Sequence, residues 1–404
     1  MRAPGMVASG VQRDLHYSPF LPEVMEDPFP FYRRLRDEQP VYYMPTYNAW
    51  VLSRFDDIWT ATEQPEIFTT IHGTTAAQAV SKVEPPVPSL NQIDPPEHTH
   101  LRKTLRDFFS RASALALEPM IRADVRERLE RHAEAGEIDA VRGIADPVAA
   151  RVACRILSLP DEAGPLLVAW VHRYAANDPS DEGRSSDALQ SAIEMNQYLA
   201  ERVAERRRGV GEEGIIDVFL THEIHGRRLE DLEIASHLQT LVIGGTDTTP
   251  KVIASALWHL ERESDQRRRI AEDPRLAAPA FAEALRLEMP TQFMARTVAK
   301  ETVLHGETLR PGQGVLLLYA SANRDEREFA APDRYDSTRR ARRHLGFGHA
   351  AHVCIGAHVA RLEGRIVLEE VLARFPRYGI DAERIGFRSA DQLRGMTSLP
   401  LILS

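Results

Sequence analysis

Two cysteines in 404 residues, Cys154 and Cys354, are too few and too far apart to staple a fold, which points to a reducing compartment. No apolar run approaches the roughly 20 residues needed to span a bilayer. Met1 to Phe20 lacks the apolar centre of a signal peptide. Basic charge is also short: 50 Lys and Arg against 59 Asp and Glu leave a net charge of −9, which argues against general nucleic-acid binding. With 43% hydrophobic and 27% charged residues, what remains is the composition of a soluble, cytoplasmic globular protein with ample core.

The most informative stretch that is present runs from His344 to Gly356. It holds three glycines, three histidines and one of the two cysteines, and it leads into Ile355, Val359, Leu362 and Ile366 at helical spacing. A glycine-rich loop that delivers a cysteine to a helix start places its sulfur near unsatisfied backbone N–H groups. Those groups favour the thiolate, a strong metal ligand. Phe347 lies seven residues earlier, where it can shield the sulfur. Taken alone, the same residues also allow a packing cysteine or, with His349, His352 and His358, a zinc site. Cys154, in the apolar run Val152 to Leu157, reads as packing.

Elsewhere the pattern is mostly helical. Residues 1–26 read as an extended arm, and Val41–Tyr43 and Ala49–Leu52, parted by Pro45 and Asn48, read as a hairpin. Residues 69–93 form a long loop expected to wall a pocket. Asp94-Pro95-Pro96-Glu97 reads as a helix start with Asp94 as N-cap, and it puts His98 and Arg102, four apart, on one face. Residues 175–187 are polar and are expected to form a flexible break between helices. A long helix from about Leu229 to Arg262 is interrupted by Gly244-Gly245-Thr246-Asp247-Thr248-Thr249-Pro250. Two glycines and a proline there predict a kink, and an acid beside a hydroxyl at a kink suits proton delivery. Glu283 and Arg286 are three residues apart on a further helix, and Arg339, Arg340, Arg342 and Arg343 form a basic run of the kind that is ordinarily a solvated face.

The string Phe347-Gly348-x-x-x-His352-x-Cys354-x-Gly356 resembles the haem-binding loop of the cytochrome P450 family. Three other stretches resemble that family's motifs, in the family's order: Asp94 to Arg102, Gly244 to Thr249, and Glu283 to Arg286. The resemblance implies a mainly α fold with a smaller β-rich part. Residues 27–404 would form one P450 domain, with haem between a long distal helix and the cysteine loop with its proximal helix. It implies haem b with Cys354 as axial iron ligand, and Phe347, Gly356 and Gly244 close to it. His98, Arg102, Arg296 and His352 would hold the propionates. Asp247 and Thr248 would form the catalytic proton relay, with Pro250 a departure from the small residue usual there. Glu283, Arg286 and Arg334 would form a buried structural cluster. Leu241, Gly244, Gln292 and Phe293 would line the substrate side.

The reaction so implied is monooxygenation: one oxygen of O2 enters a small or medium hydrophobic substrate and the other is reduced to water. Electrons would come from NAD(P)H through a ferredoxin reductase and a ferredoxin, the latter steered to the cysteine face by the basic run. No membrane or nucleic-acid partner is expected, and the protein is read as a monomer. A peroxide-driven peroxygenase and a non-catalytic haem sensor are the other readings.

Overall fold

Val41–Met44 (β1) and Ala49–Leu52 (β2) are built from β-branched, aromatic and apolar residues. In the computed structural model they pair antiparallel, with Val41 opposite Leu52. The structure describes residues 15–80, 87–176, 181–182, 185–224, 226–388, 390 and 392–403. The hairpin closes on Asn48 at φ 48°, a left-handed conformation that asparagine tolerates. Phe68–Thr69 (β3), Met294–Val298 (β4) and Gly314–Leu317 (β5) complete a sheet in the order β1-β2-β5-β4-β3. Within it β2 and β5 run parallel, and the other neighbours are antiparallel.

This sheet has its own apolar core, which includes Trp50, Val51, Phe293 and Leu316. A second core, with Leu101, Val125, Leu167, Leu238 and Val367, lies among the helices. The described part of the N-terminal arm is not extended. Pro22–Glu26 is helical with Val24 and Met25 buried, and Tyr17 packs against Tyr32 and Tyr42. Apolar side chains at these positions have the sheet layer to bury against, so the segment folds back onto it. Residues 1–14 lie outside the described residues, as do 177–180, 183 and 184 of the polar break.

The long helix expected from Leu229 to Arg262 is two helices, Asp231–Thr246 and Thr248–Arg262, parted at Asp247. Pro250 has no N–H to return to the carbonyl of Thr246, so one rung of the ladder is missing where the glycines have already weakened it. The helix that follows the cysteine, Ala357–Arg374, is fixed from outside by charge. Glu370 meets Arg122 at 2.6 Å, Arg126 at 2.9 Å and Arg374 at 2.6 Å, and Arg365 meets Glu118 at 2.6 Å. Burial alone would raise the Glu370 carboxyl, but hydrogen bonds from Arg126, Arg122 and Arg374 bring it down to about 2. The helix that presents the cysteine is therefore anchored to Glu118–Ala133. Among the described residues no helix is long and apolar enough to cross a membrane.

Candidate active site

The cysteine loop is built by short-range turns. Gly348 takes φ 69°, and its N–H donates to Leu345 O at 2.9 Å. Cys354 N–H donates back to Phe347 O at 2.8 Å, which closes the loop below the helix start. Ala350 also takes a left-handed φ, 56°, where glycine would cost about 1 kcal/mol less. The free surface of Cys354 opens onto an internal cavity of about 330 Å³, so the side chain lies deep in the fold without being packed. Burial pushes its thiol up, offset in part by the Gly356 N–H and by Arg102 and Arg361. A coordinating metal ion deprotonates such a thiol.

The alternatives for this loop fall away. Cys154, not Cys354, is the packing cysteine: it is fully buried and its thiol is pushed to about 11. No group of three His, Cys, Asp or Glu among the described residues is placed to hold a metal. His349 stacks on Trp59 with ring centres 3.4 Å apart and meets Glu63 at 2.8 Å, while His352 stacks on His98 at 4.0 Å.

At one edge the cavity is lined by His98, Arg102, Arg296 and His352. His98 and Arg102 share a face of helix Glu97–Leu105, as their spacing predicts. Arg102 donates to Val353 O at 2.7 Å and Arg296 to Ala295 O at 2.7 Å, and among the described residues neither meets a carboxylate. His98 Nδ1 and His352 Nε2 are buried without a hydrogen-bond partner. Burial, with nearby guanidinium groups, lowers His98 to about 4 and His352 to about 2. Four cationic or donor side chains that converge with no anion form a site for carboxylates. Asp94 does not cap this helix. It accepts from the Thr69 hydroxyl, from Thr70 N–H at 3.0 Å and from the Thr70 hydroxyl at 2.8 Å, so it ties the end of β3 to the helix start.

The opposite wall is the broken helix. Leu241, Gly244, Gly245, Thr248 and Thr249 face the cavity, and a Cβ added at either glycine would meet nothing within 4 Å. Thr248 Oγ1 donates to Gly244 O at 2.9 Å across the break. Asp247 does not join it there. Its carboxylate points away from the cavity, with Oδ1 2.5 Å from Lys251 Nζ and 3.0 Å from Arg388 Nη1. Lys251 lies one turn on, and Arg388 comes from strand Gly386–Arg388 near the C-terminus. Burial alone would raise the Asp247 carboxyl, yet the two cations hold it below the usual range.

On the substrate side Leu241 and Gly244 are in place, but Gln292 and Phe293 are not. Gln292 is buried and accepts from the Tyr32 hydroxyl at 3.3 Å, and Phe293 belongs to the sheet core. The neighbours Thr291 and Met294 line the cavity instead, with Thr74, Leu90 and Asn91 from the long loop. The structural cluster is also re-membered. Glu283 meets Arg286 at 2.8 Å and Arg339 at 2.9 Å, while Arg334 is exposed and contributes only its carbonyl to Arg286. Arg339 is thus withdrawn from the basic run, and Arg343 is paired with Glu328 and Asp56, which leaves Arg340 and Arg342 exposed.

These observations fit a haem. A lone sulfur faces a glycine-cleared wall across the cavity, and unpartnered nitrogens with two unpaired arginines await carboxylates at its edge. A family model described as Cytochrome P450 matches residues 182–377. Cytochrome P450 130 of Mycobacterium tuberculosis is 33% identical over 388 residues, 94% of this chain and 95% of that protein. Vitamin D(3) 25-hydroxylase of Pseudonocardia autotrophica is 30% identical over 385 residues, 94% of each. Among solved structures, a mutant of P450 EryK in complex with erythromycin B is 30% identical with a TM-score of 0.83, covering 93% of this chain and 95% of that one.

Proposed function

The chain belongs to the cytochrome P450 family and is a monooxygenase, and on that premise we propose that it hydroxylates or similarly oxidises a small or medium neutral hydrophobic molecule. The observation that carries the proposal is the placement of Cys354, the Gly244–Thr248 wall and the His98, Arg102, Arg296 and His352 edge around one cavity. Cys354 would hold the iron of a haem b, and His98, Arg102, Arg296 and His352 would hold its propionates, with Phe347 and Gly356 beside the sulfur on the cavity wall. When bound, the haem supplies the activation of O2, and the protein supplies ligation, orientation and a dry pocket.

The chain's own residues then divide the remaining work. Gly244 and Gly245 leave room for O2 and substrate beside the distal wall, where a side chain would intrude. The Thr248 hydroxyl, tethered to Gly244 O, is the proton-carrying group that faces the cavity. Leu90, Leu241 and Met294 present apolar surface to the substrate. Apart from the edge cations, Glu363 is the one charged type of residue on the described cavity wall, which favours an uncharged substrate. That relatives include a vitamin D(3) hydroxylase supports the substrate class.

Electrons come from NAD(P)H through a ferredoxin reductase and a ferredoxin that docks near Arg340 and Arg342. The test uses the purified protein with both redox proteins, NADH and isotopically labelled dioxygen, against a library chosen by the shift in haem absorption on binding. One labelled oxygen in the product is the expected result; label confined to water refutes the reading. Replacing Arg340 and Arg342 together by glutamine is expected to slow reduction by ferredoxin roughly tenfold at low salt and not at high salt. Stopped-flow absorbance measures it, and an unchanged low-salt rate removes the two arginines from the docking site.

A further inference from the structure

The hydroxyls on the cavity wall are not alike in how their protons are used. Thr240 Oγ1 donates to Ser236 O at 3.2 Å and Thr248 Oγ1 to Gly244 O at 2.9 Å, each to a carbonyl one turn back. Thr74 does not. It lines the cavity and is 2% exposed, and its Oγ1 accepts from Asn91 Nδ2 at 3.0 Å. Among the described residues its own proton has no acceptor. Asn91 also lines the cavity, and its Oδ1 is taken by the Ser89 hydroxyl at 2.6 Å. One Asn91 N–H and the Thr74 O–H are thus neighbouring donors with nothing to receive them. A buried donor left unpaired is costly, so the pair is a site for an acceptor atom. Thr249 and Thr291 are lone hydroxyls on the same wall, free to donate or accept, and specify neither.

The pair is fixed from outside. Thr74 N–H donates to Gln78 Oε1 at 2.9 Å, and Thr74 O accepts from Ala295 N–H at 2.9 Å and from Gln392 Nε2 at 3.3 Å. Asn91 sits in the short turn Leu90–Gln92. Ser236 of helix Asp231–Thr246 donates to Val87 O at 3.4 Å, which lays this loop on the wall across the cavity from the sulfur. Charge narrows the ligand. Beyond the four edge residues that would hold propionates, no Lys, Arg or His lines the described cavity. A carboxylate at Thr74 would lack a counter-charge, whereas a neutral carbonyl oxygen, with two lone pairs, matches two neutral donors.

We propose that Thr74 and Asn91 hold the carbonyl oxygen of the substrate, a neutral apolar molecule with a ketone, ester or lactone group. Anchored at that oxygen, the molecule presents one carbon to the Gly244–Thr248 wall, and the anchor sets the position that is oxidised. Both are positioning residues and carry no proton of the reaction. The inference rests on the monooxygenase reading for the position oxidised, and not for binding.

Matched cyclic ketones and cycloalkanes of rising ring size test it, titrated into the holoenzyme by the shift in haem absorption and by calorimetry. The best ketone should bind roughly tenfold tighter than its hydrocarbon, the worth of about one neutral hydrogen bond in a dry pocket. Thr74→Val keeps the shape and should erase most of that preference, as should Asn91→Leu, while Thr74→Ser keeps it. The matching cycloalkane carboxylate should bind more weakly than the ketone. A series in which no ketone outbinds its hydrocarbon, a preference that survives both Thr74→Val and Asn91→Leu, or a carboxylate that binds tightest overturns the proposal. So does an Asn91→Leu protein that loses haem yet keeps the preference, which places Asn91 at the propionates. In wild type alone, the infrared carbonyl stretch of the bound ketone should lie below its value in hexane, and a hexane-like stretch also overturns it. With NADH, ferredoxin and its reductase, wild type should oxidise the ketone mainly at one carbon and Thr74→Val at several. An unchanged product pattern in that variant overturns the positioning role. If the binding preference and infrared shift are found but no product forms, the monooxygenase reading fails and the anchor stands.

Discussion

Cys354→Ala is expected to abolish the red-shifted absorption of the reduced carbon monoxide complex and to bring NAD(P)H-dependent oxidation below detection, while changing the unfolding free energy of the haem-free protein by no more than about 0.5 kcal/mol. The two halves of this expectation come from one fact. The sulfur faces the cavity and not the core, so truncating it opens little new space among packed side chains. No other residue is placed to replace it. Cys154 is sealed in the helical core with its thiol pushed to about 11, His349 is held by Trp59 and Glu63, and His352 is stacked on His98. A packing role for Cys354 predicts the opposite pair of results, a lost core contact with an unchanged spectrum. Measuring the carbon monoxide spectrum of the haem-loaded protein and a urea titration of the haem-free protein separates the two.

What the sequence made legible is what depends on near neighbours in the chain. The helix break at Asp247 follows from Gly244, Gly245 and Pro250, and the shared face of His98 and Arg102 follows from a spacing of four. The loop that carries Cys354 is likewise local, closed by turns within residues 345–357. The misplacements all concern which way a side chain turns or which distant segment meets it. Gln292 and Phe293 differ from Thr291 and Met294 by one position, and one position decides which face of an extended segment a residue presents. Asp247 lies off the helix face that Leu241, Gly244, Gly245, Thr248 and Thr249 turn to the cavity, so of the acid and the alcohol only Thr248 reaches it. Lys251, four residues on, was a legible partner for Asp247; Arg388, 141 positions away, carried no signal. Glu363 looked like any glutamate on an amphipathic helix, because nothing local shows that its face turns toward a cavity.

The same limit governs the structural cluster, and there it has the second large consequence. Glu283→Ala is expected to cost about 3–5 kcal/mol, a substantial part of the roughly 5–15 kcal/mol that holds a typical domain folded. The carboxylate accepts from Arg286 Nε at 2.9 Å and Nη2 at 2.8 Å, from Arg339 Nε at 2.9 Å and from Asp336 N–H at 3.2 Å. Its removal strands Arg286, which is 1% exposed, in a place where water cannot reach it. The damage then travels toward the cavity. Arg286 Nη1 donates to Asn323 O at 2.6 Å, and the Asn323 side chain accepts from Leu345 N–H at 2.7 Å, at the entrance to the cysteine loop. Haem content should therefore fall together with the urea midpoint, rather than after it. Arg339→Ala should reproduce part of the loss. Arg334→Ala should stay within about 0.5 kcal/mol of wild type, because an exposed side chain is removed and the carbonyl that Arg286 uses is kept. Equal losses in the Arg334 and Arg339 variants would mean that the third member of the cluster is not the one the geometry selects.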